Sequence, residues 1–291
     1  YWKGVEDHSW VIGDFIWTAF DYIGEASIGW CGYPLDKRIF PWNHANCGDL
    51  NLSGERRPQS YLRETLWSDA PVSHIVVTPP VPSFPLNPDK ADWSVWDFPD
   101  VVDHWNFPGY EGKKMTVSVY SNCEQVELFL NGESLGKQEN TADKKNTLVW
   151  EVPYAHGILK AVSYNKGGEV GTATLESAGK VEKIRLSADR TEIVADGNDL
   201  SYITLELVDS KGIRNQLAEE LVEFSIEGDA TIEGVGNANP MSIESFVANS
   251  RKTWRGSNLL VVRSGKSSGR IIVTAKVKAL PVASITITQK K

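Results

Sequence analysis

Val11-Ile-Gly-Asp-Phe-Ile-Trp-Thr-Ala-Phe-Asp-Tyr-Ile-Gly-Glu25 decides how the chain is read. Val11, Ile12, Phe15, Ile16, Trp17 and Phe20 are too dense for a strand with one wet face, and such a run suits a parallel strand buried on both sides. Asp21, Tyr22 and Glu25 follow at once, with Gly24 to loosen the backbone. A buried strand that ends in carboxylates and aromatics reads as one spoke of an α/β barrel, because active-site groups gather at that end of the strands.

Residues 26–57 carry Gly29, Gly32, Pro34, Pro41, Gly48 and Gly54 and read as irregular. A loop of that length inside a compact domain is usually functional. Glu55-Arg-Arg-Pro-Gln-Ser-Tyr-Leu-Arg-Glu-Thr-Leu-Trp67 then predicts a helix. Pro58 suits its first turn, and Tyr61, Leu62, Leu66 and Trp67 supply an apolar face at helical spacing. Strand, loop and helix make one βα unit, residues 1–70. One such unit buries too little surface to offset the ordering of its chain. It is expected to pack on the following domain, on another copy or on a barrel outside this chain.

Five of the 14 prolines fall within residues 79–88, which predicts a stiff, extended connector. His74–Thr78 before it suits an edge strand. Beyond it, Met115-Thr-Val-Ser-Val-Tyr120 alternates, Val126–Leu130 follows, and Asn131-Gly132 is a hairpin turn signal. Asn146–Val152 and Gly157–Tyr164 complete a β-sandwich over residues 71–178. Ile184–Ala188, Glu192–Ala195, Ser201–Val208, Val222–Ile226, Thr231–Val235, Asn258–Arg263, Gly269–Val277 and Ile285–Thr288 predict a second over 179–291. Asp209-Ser-Lys-Gly212 reads as a turn, and the boundary is expected near Glu176–Val181. The fold class expected is mainly β: two immunoglobulin-like sandwiches preceded by a terminal βα piece of a barrel.

The net charge of −8 over 291 residues argues against a nucleic-acid partner. No apolar run reaches the length of a membrane span. Cys31, Cys47 and Cys123 form no C-x-x-C pair, so neither a disulfide framework nor a zinc site is indicated; a Cys31–Cys47 bridge is the minor alternative to free thiols. Nine of the 11 tryptophans lie before residue 106, an aromatic-rich front that suits core filling or stacking on sugar faces. No cofactor or metal is expected. The Asp97, Asp100 and Asp103 spacing lacks the glycine and closing glutamate of a calcium loop.

Phe15–Glu25 closely resembles the last barrel strand of family 2 glycoside hydrolases, the β-galactosidase group. Cys47-Gly-Asp-Leu-Asn-Leu-Ser-Gly54 and Arg57-Pro-Gln-Ser-Tyr61 look like that family's closing loop and final helix. His104-Trp-Asn-Phe-Pro108 with Val126-Glu-Leu-Phe-Leu-Asn-Gly-Glu-Ser-Leu-Gly136 resembles the domain that follows the barrel in bacterial members. Ile193-Val-Ala-Asp-Gly-Asn-Asp-Leu200 and Gly234-Val-Gly-Asn-Ala-Asn-Pro240 are similar to a further C-terminal sandwich, a pattern shared in part with bacterial adhesin repeats.

The resemblance implies hydrolysis of a β-linked carbohydrate with retention, by two carboxyl groups roughly 5–5.5 Å apart. The family takes both glutamates from earlier barrel strands, so this chain is expected to hold neither and to be inactive alone. What carries over is the sugar-facing wall: Trp17 as the subsite floor with a cis peptide bond to Thr18, and Asp21 and Glu25 as substrate-binding candidates. Asp21 is equally open to capping the loop, and Glu25 to a loop salt bridge. Trp42, Asn43 and His44 are candidates for the cleft mouth or for loop packing. Trp93, Trp96 and Trp105 are expected between sandwich and barrel end, or as a glycan-binding patch.

Two readings from other classes stay open. One is a carbohydrate-binding or adhesive tandem module; the other is a brace for the barrel or an interface between copies. A periplasmic or extracellular location is expected if a signal precedes residue 1.

Overall fold

The computed structural model describes residues 2–26, 40–84 and 98–291. Trp30, Cys31, Trp93, Trp96 and Asp97 lie outside the described residues.

The chain opens with a short helix, α1 (Trp2–Asp7), then β1 (Tyr22–Ile23), β2 (His44–Ala45) and α2 (Pro58–Trp67). Strand, loop and helix occur in the expected order, but the strand is not where apolar density placed it. Residues 11–17 form no strand, and Ile12 and Phe15 are fully exposed at 104% and 98%. A strand needs neighbours for its N–H and C=O groups. Among the described residues, pairing begins only at Phe20, which bridges Leu50, and continues with β1 against β2.

The helix also differs from expectation. Its buried residues are Pro58, Gln59, Ser60 and Thr65, whereas Leu66 and Trp67 are exposed. The polar face is inside because its partners are polar. Gln59 donates to the Gly48 carbonyl at 2.6 Å, and Asn146 donates to Thr65 Oγ1 at 3.0 Å.

The first sandwich is built from β3 (Ser73–Val77), β4 (Lys114–Ser121), β5 (Gln125–Leu130), β6 (Glu133–Glu139), β7 (Thr147–Pro153), β8 (Ile158–Asn165) and β9 (Gly168–Glu176). One sheet runs β3-β4-β7 and the other β6-β5-β8-β9, all antiparallel. Alternation puts Met115, Val117 and Val119 of β4 on one buried face, opposite Leu148, Trp150 and Val152 of β7. Asn131 and Gly132 both take positive φ (52° and 89°) in the tight turn joining β5 to β6.

Trp105 lies wholly inside this core, its indole N–H bonded to the Ala155 carbonyl at 2.8 Å and its ring edge-on to Tyr154 and Phe107. It is a core residue, not part of a binding patch or of a contact with the barrel end.

The second sandwich comprises β10 (Lys183–Ala188), β11 (Glu192–Val194), β12 (Leu200–Val208), β13 (Leu221–Glu227), β14 (Ala230–Gly236), β15 (Ser250–Lys252), β16 (Ser257–Ser264), β17 (Gly269–Val277) and β18 (Ala283–Lys290). Its sheets run β10-β12-β16-β14 and β11-β18-β17-β13-β15. Ile203, Leu205 and Leu207 of β12 meet Phe224, Val273 and Ile287 in a separate core. Residues between β9 and β10 are strapped on both sides. Asn106 exchanges two hydrogen bonds with Ala178, and Gly179 donates to Asp209 Oδ2 at 2.8 Å.

The front unit packs on both sandwiches. Tyr61 of α2 stacks on His74 of β3 with centroids 3.6 Å apart. Asn43 donates to the carbonyls of Pro240 and Ser242, and Glu55 pairs with Arg214. Among the described residues, no helix is long and apolar enough to cross a membrane.

Candidate functional site

The segment 18–24 is held by two pieces of the loop that follows it. Thr18 and Ala19 accept from the N–H groups of Asp49 and Leu50, and Asp21 N–H donates to the Leu50 carbonyl at 2.9 Å. Tyr22 and Ile23 pair with Ala45 and His44, and Gly24 N–H donates to Asn43 O. This crossing requires Gly48, where a Cβ would sit 2.2 Å from Asp21 N and 2.4 Å from Phe20 C. The Trp17–Thr18 peptide bond is cis, as the resemblance implied.

Trp17 stands out from this frame, 58% exposed. Its indole N–H donates to Tyr22 Oη at 3.1 Å, and Tyr22 Oη donates in turn to Glu25 Oε2. The Trp17 and Tyr22 rings meet edge-on at 6.3 Å. Burial, and then the bond to Glu25, push the Tyr22 phenol above its usual range. Gly24 and Glu25 both have positive φ (93° and 42°), which turns the chain so that Glu25 comes back to Tyr22. An exposed indole face beside a hydroxyl and a carboxylate offers stacking for sugar C–H groups and partners for sugar hydroxyls.

Asp21 is placed differently. It is 3% exposed and accepts from Gly48 N–H at 2.8 Å and Arg57 Nη1 at 2.9 Å. Burial raises its pKa to about 6, against the pull of Arg57 and of the Gly48 bond. Of the three predicted residues, the structure brings Trp17 and Glu25 together and turns Asp21 inward. Tyr22, which links the first two, is named with them in the sequence but is not among the substrate-binding candidates. Its signal is an aromatic hydroxyl five residues after Trp17 and three before Glu25.

Trp42 and His44 are buried, Trp42 donating its indole N–H to the His44 carbonyl at 2.7 Å. Asn43 Nδ2 donates to Ser242 O, leaving its Oδ1 to accept from His44 Nδ1 at 3.0 Å. Burial, aided by the Arg57 charge, lowers the His44 pKa to about 4, so the ring is neutral. Cys47 and Cys123 are buried free thiols; Cys31, the other half of the Cys31–Cys47 alternative, lies outside the described residues. Burial pushes the Cys47 thiol up to about 11.

A cavity of about 800 Å³ lies where the front unit meets both sandwiches, walled by Tyr61, Phe84, Trp254, Asp103, Arg214 and Arg255 among others. Burial alone would raise the Asp103 pKa, but Arg255 and the Gln216 bond hold it below the usual carboxylate range. No cluster of three or more His, Cys, Asp or Glu residues suited to a metal ion occurs among the described residues.

Residues 184–286 match the family model of glycoside hydrolase family 2 C-terminal domain 5, and residues 112–171 match a domain of unknown function, DUF4982. The chain is 31% identical over 290 residues to the β-galactosidase BoGH2A of Bacteroides ovatus, covering 99% of this chain and 30% of that protein. A solved glycosyl hydrolase family 2 member from Bacteroides cellulosilyticus is 89% identical and superposes with a TM-score of 0.87, over 99% of this chain and 36% of that one. The chain belongs to glycoside hydrolase family 2. A solved β-glycosidase from Bacteroides vulgatus, 26% identical, matches with a TM-score of 0.80 over 99% of this chain and 32% of its own. The chain therefore spans about a third of the length of these family 2 relatives.

Proposed function

We propose that the protein carrying this chain is a retaining β-glycosidase, β-galactosidase-like, acting on β-linked hexosides. Residues 1–70 close its catalytic barrel, and residues 71–178 and 179–291 are accessory sandwiches. Both catalytic carboxyl groups come from barrel strands outside these residues, which alone are inactive. Trp17 and Glu25, joined by Tyr22, contribute to the wall that receives the sugar. Asp21 supports that wall from behind through Arg57.

The observation that carries this reading is the Trp17–Tyr22–Glu25 row on an otherwise apolar, uncovered face. Trp10, Ile12, Phe15, Phe20 and Ile23 are all more than half exposed beside it. So large an apolar surface marks a contact with another body, and a barrel closing over residues 10–23 would cover it while leaving the Trp17 face to the substrate.

The experiment is turnover of chromogenic β-galactosides and β-glucuronides by the full-length protein and by its Trp17→Ala variant. β-Galactoside turnover that collapses in the variant is expected. Full activity in Trp17→Ala removes the residue from the substrate wall, and absence of any glycoside turnover in the parent removes the hydrolase reading.

A further inference from the structure

The loop 237–249 of the second sandwich touches the segment that carries the candidate site, and it is built to stay fixed. Arg251, 1% exposed, lies under it. Its Nη1 donates to the carbonyls of Val235 and Glu244 at 3.1 and 3.3 Å, its Nη2 to Ser242 Oγ at 3.1 Å, and its guanidinium covers the Phe246 ring at 4.3 Å. Glu244 accepts from Ser242 Oγ and Lys252 N–H, and Asn237 and Asn239 accept from backbone N–H groups two residues ahead. A buried arginine whose Nη1 and Nη2 are bonded to two carbonyls and a hydroxyl fastens the loop, because leaving those donors unmade inside the protein is costly; its Nε–H finds no partner among the described residues.

That loop presents two carbonyls to one residue. Asn43 N–H donates to Pro240 O at 2.8 Å, and Asn43 Nδ2 donates to Ser242 O at 2.7 Å. The Asn43 carbonyl in turn accepts Gly24 N–H at 3.2 Å, one residue before Glu25. The chain of bonds runs Arg251, Ser242, Asn43, Gly24. It ends where the backbone turns Glu25 toward Tyr22.

We propose that Asn43 is a positioning residue through which the second sandwich sets the geometry of the sugar-facing row Trp17–Tyr22–Glu25. This rests on the glycosidase reading given above. The second sandwich is then part of the binding apparatus for the hexoside and not only a spacer. Asn43 does not touch substrate; it fixes the residue that fixes Glu25.

The test compares two variants of the full-length protein that each cut one tie between the front unit and the second sandwich. Asn43→Ala removes the bond to Ser242 and, with it, the acceptor of His44 Nδ1. Glu55→Ala removes the pair with Arg214, which lies off the path to Gly24. In Asn43→Ala, KM for a chromogenic β-galactoside and Ki for free galactose are expected to rise about tenfold with kcat little changed, as for a loss of uniform binding. Asn43→Gln, which keeps the donor, restores part of the loss. Glu55→Ala lowers the melting temperature without moving KM. In amide exchange, Gly24 and Tyr22 exchange faster in Asn43→Ala and not in Glu55→Ala.

An unchanged KM in Asn43→Ala, or an equal rise in Glu55→Ala, overturns the inference, since the bond would then only fasten two bodies together. If the parent turns over no β-hexoside, the hydrolase reading falls, and exchange decides the mechanical link by itself. Faster exchange at Gly24 upholds it, and unchanged exchange overturns it.

Discussion

Arg57 Nη1 lies 2.9 Å from Asp21 Oδ1, joining residues 36 apart in the sequence. Arg57 is the residue that precedes the first turn of α2, so the bond locks the candidate-site segment to the start of the helix. The same guanidinium reaches the Gly48 carbonyl, so strand, loop and helix meet at one carboxylate. Asp21→Ala removes this junction and leaves Arg57 partly buried without its counter-charge. A loss of roughly 2–3 kcal/mol is expected in urea denaturation, below the value for a fully buried pair because Arg57 keeps some solvent. Asp21→Asn, which still accepts from Gly48 N–H, should lose less.

Gly48→Ala tests the crossing itself. Its Cβ would meet backbone atoms of Phe20 and Asp21, which cannot rotate away. The expected cost is about 3 kcal/mol of overpacking. It is confined to the front unit because each sandwich has its own core. Limited proteolysis should cut within residues 1–70 of the variant while the sandwiches resist; an unaltered cleavage pattern would contradict the packing described here.

Stability should fall on mild acidification. His44, His74 and His104 are each lowered to about 4, chiefly by burial. Their folded pKa values lie below the unfolded value of roughly 6.5. Between those limits the unfolded chain binds more protons, so stability rises with pH through about 4 to 6.5 and is complete above it. Asp21 acts oppositely: its folded pKa of about 6 lies above its usual 3.8, so its contribution falls as pH rises through that window. Three groups oppose one, at roughly 1.4 kcal/mol per pH unit for each fully differing proton. The urea midpoint should drop between pH 7 and 4.5, and Asp21→Asn should steepen the drop.

Tyr22→Phe isolates the hydroxyl that joins Trp17 to Glu25. The ring and its edge-on contact remain, so folding should be unaffected. In the full-length protein, kcat/KM for a β-galactoside is expected to fall about tenfold, because the bonds of the hydroxyl to Trp17 and to Glu25 are both lost. Trp17→Ala, which removes the stacking face as well, is expected to cost on the order of 100-fold. Equal losses in the two variants would mean that the indole contributes only through its N–H.

Much of the β structure could be read from alternation. Met115, Val117 and Val119, and Ile203, Leu205 and Leu207, are buried every second residue as their pattern required. The strands missed in advance were edge strands such as Glu133–Glu139 and Ser250–Lys252. These form because a neighbour offers hydrogen bonds, and they bury too little to leave an apolar period. The opposite error occurred at residues 11–17. Apolar density does not by itself supply the neighbours whose N–H and C=O groups a strand needs. At the candidate site, Trp17 and Glu25 are named through the resemblance to family 2 glycoside hydrolases. The inward turn of Asp21 could not be read from the sequence, because it depends on Arg57, and neither could the link through Tyr22, because it depends on a left-handed backbone at Glu25.

The most direct measurement is turnover of a chromogenic β-galactoside by purified residues 1–291 beside the full-length protein, at equal concentration. Hydrolysis by the full-length protein and none by residues 1–291 is the predicted result. Hydrolysis by residues 1–291 that disappears in Glu25→Gln would contradict it, because the reacting carboxylates would then lie within this chain.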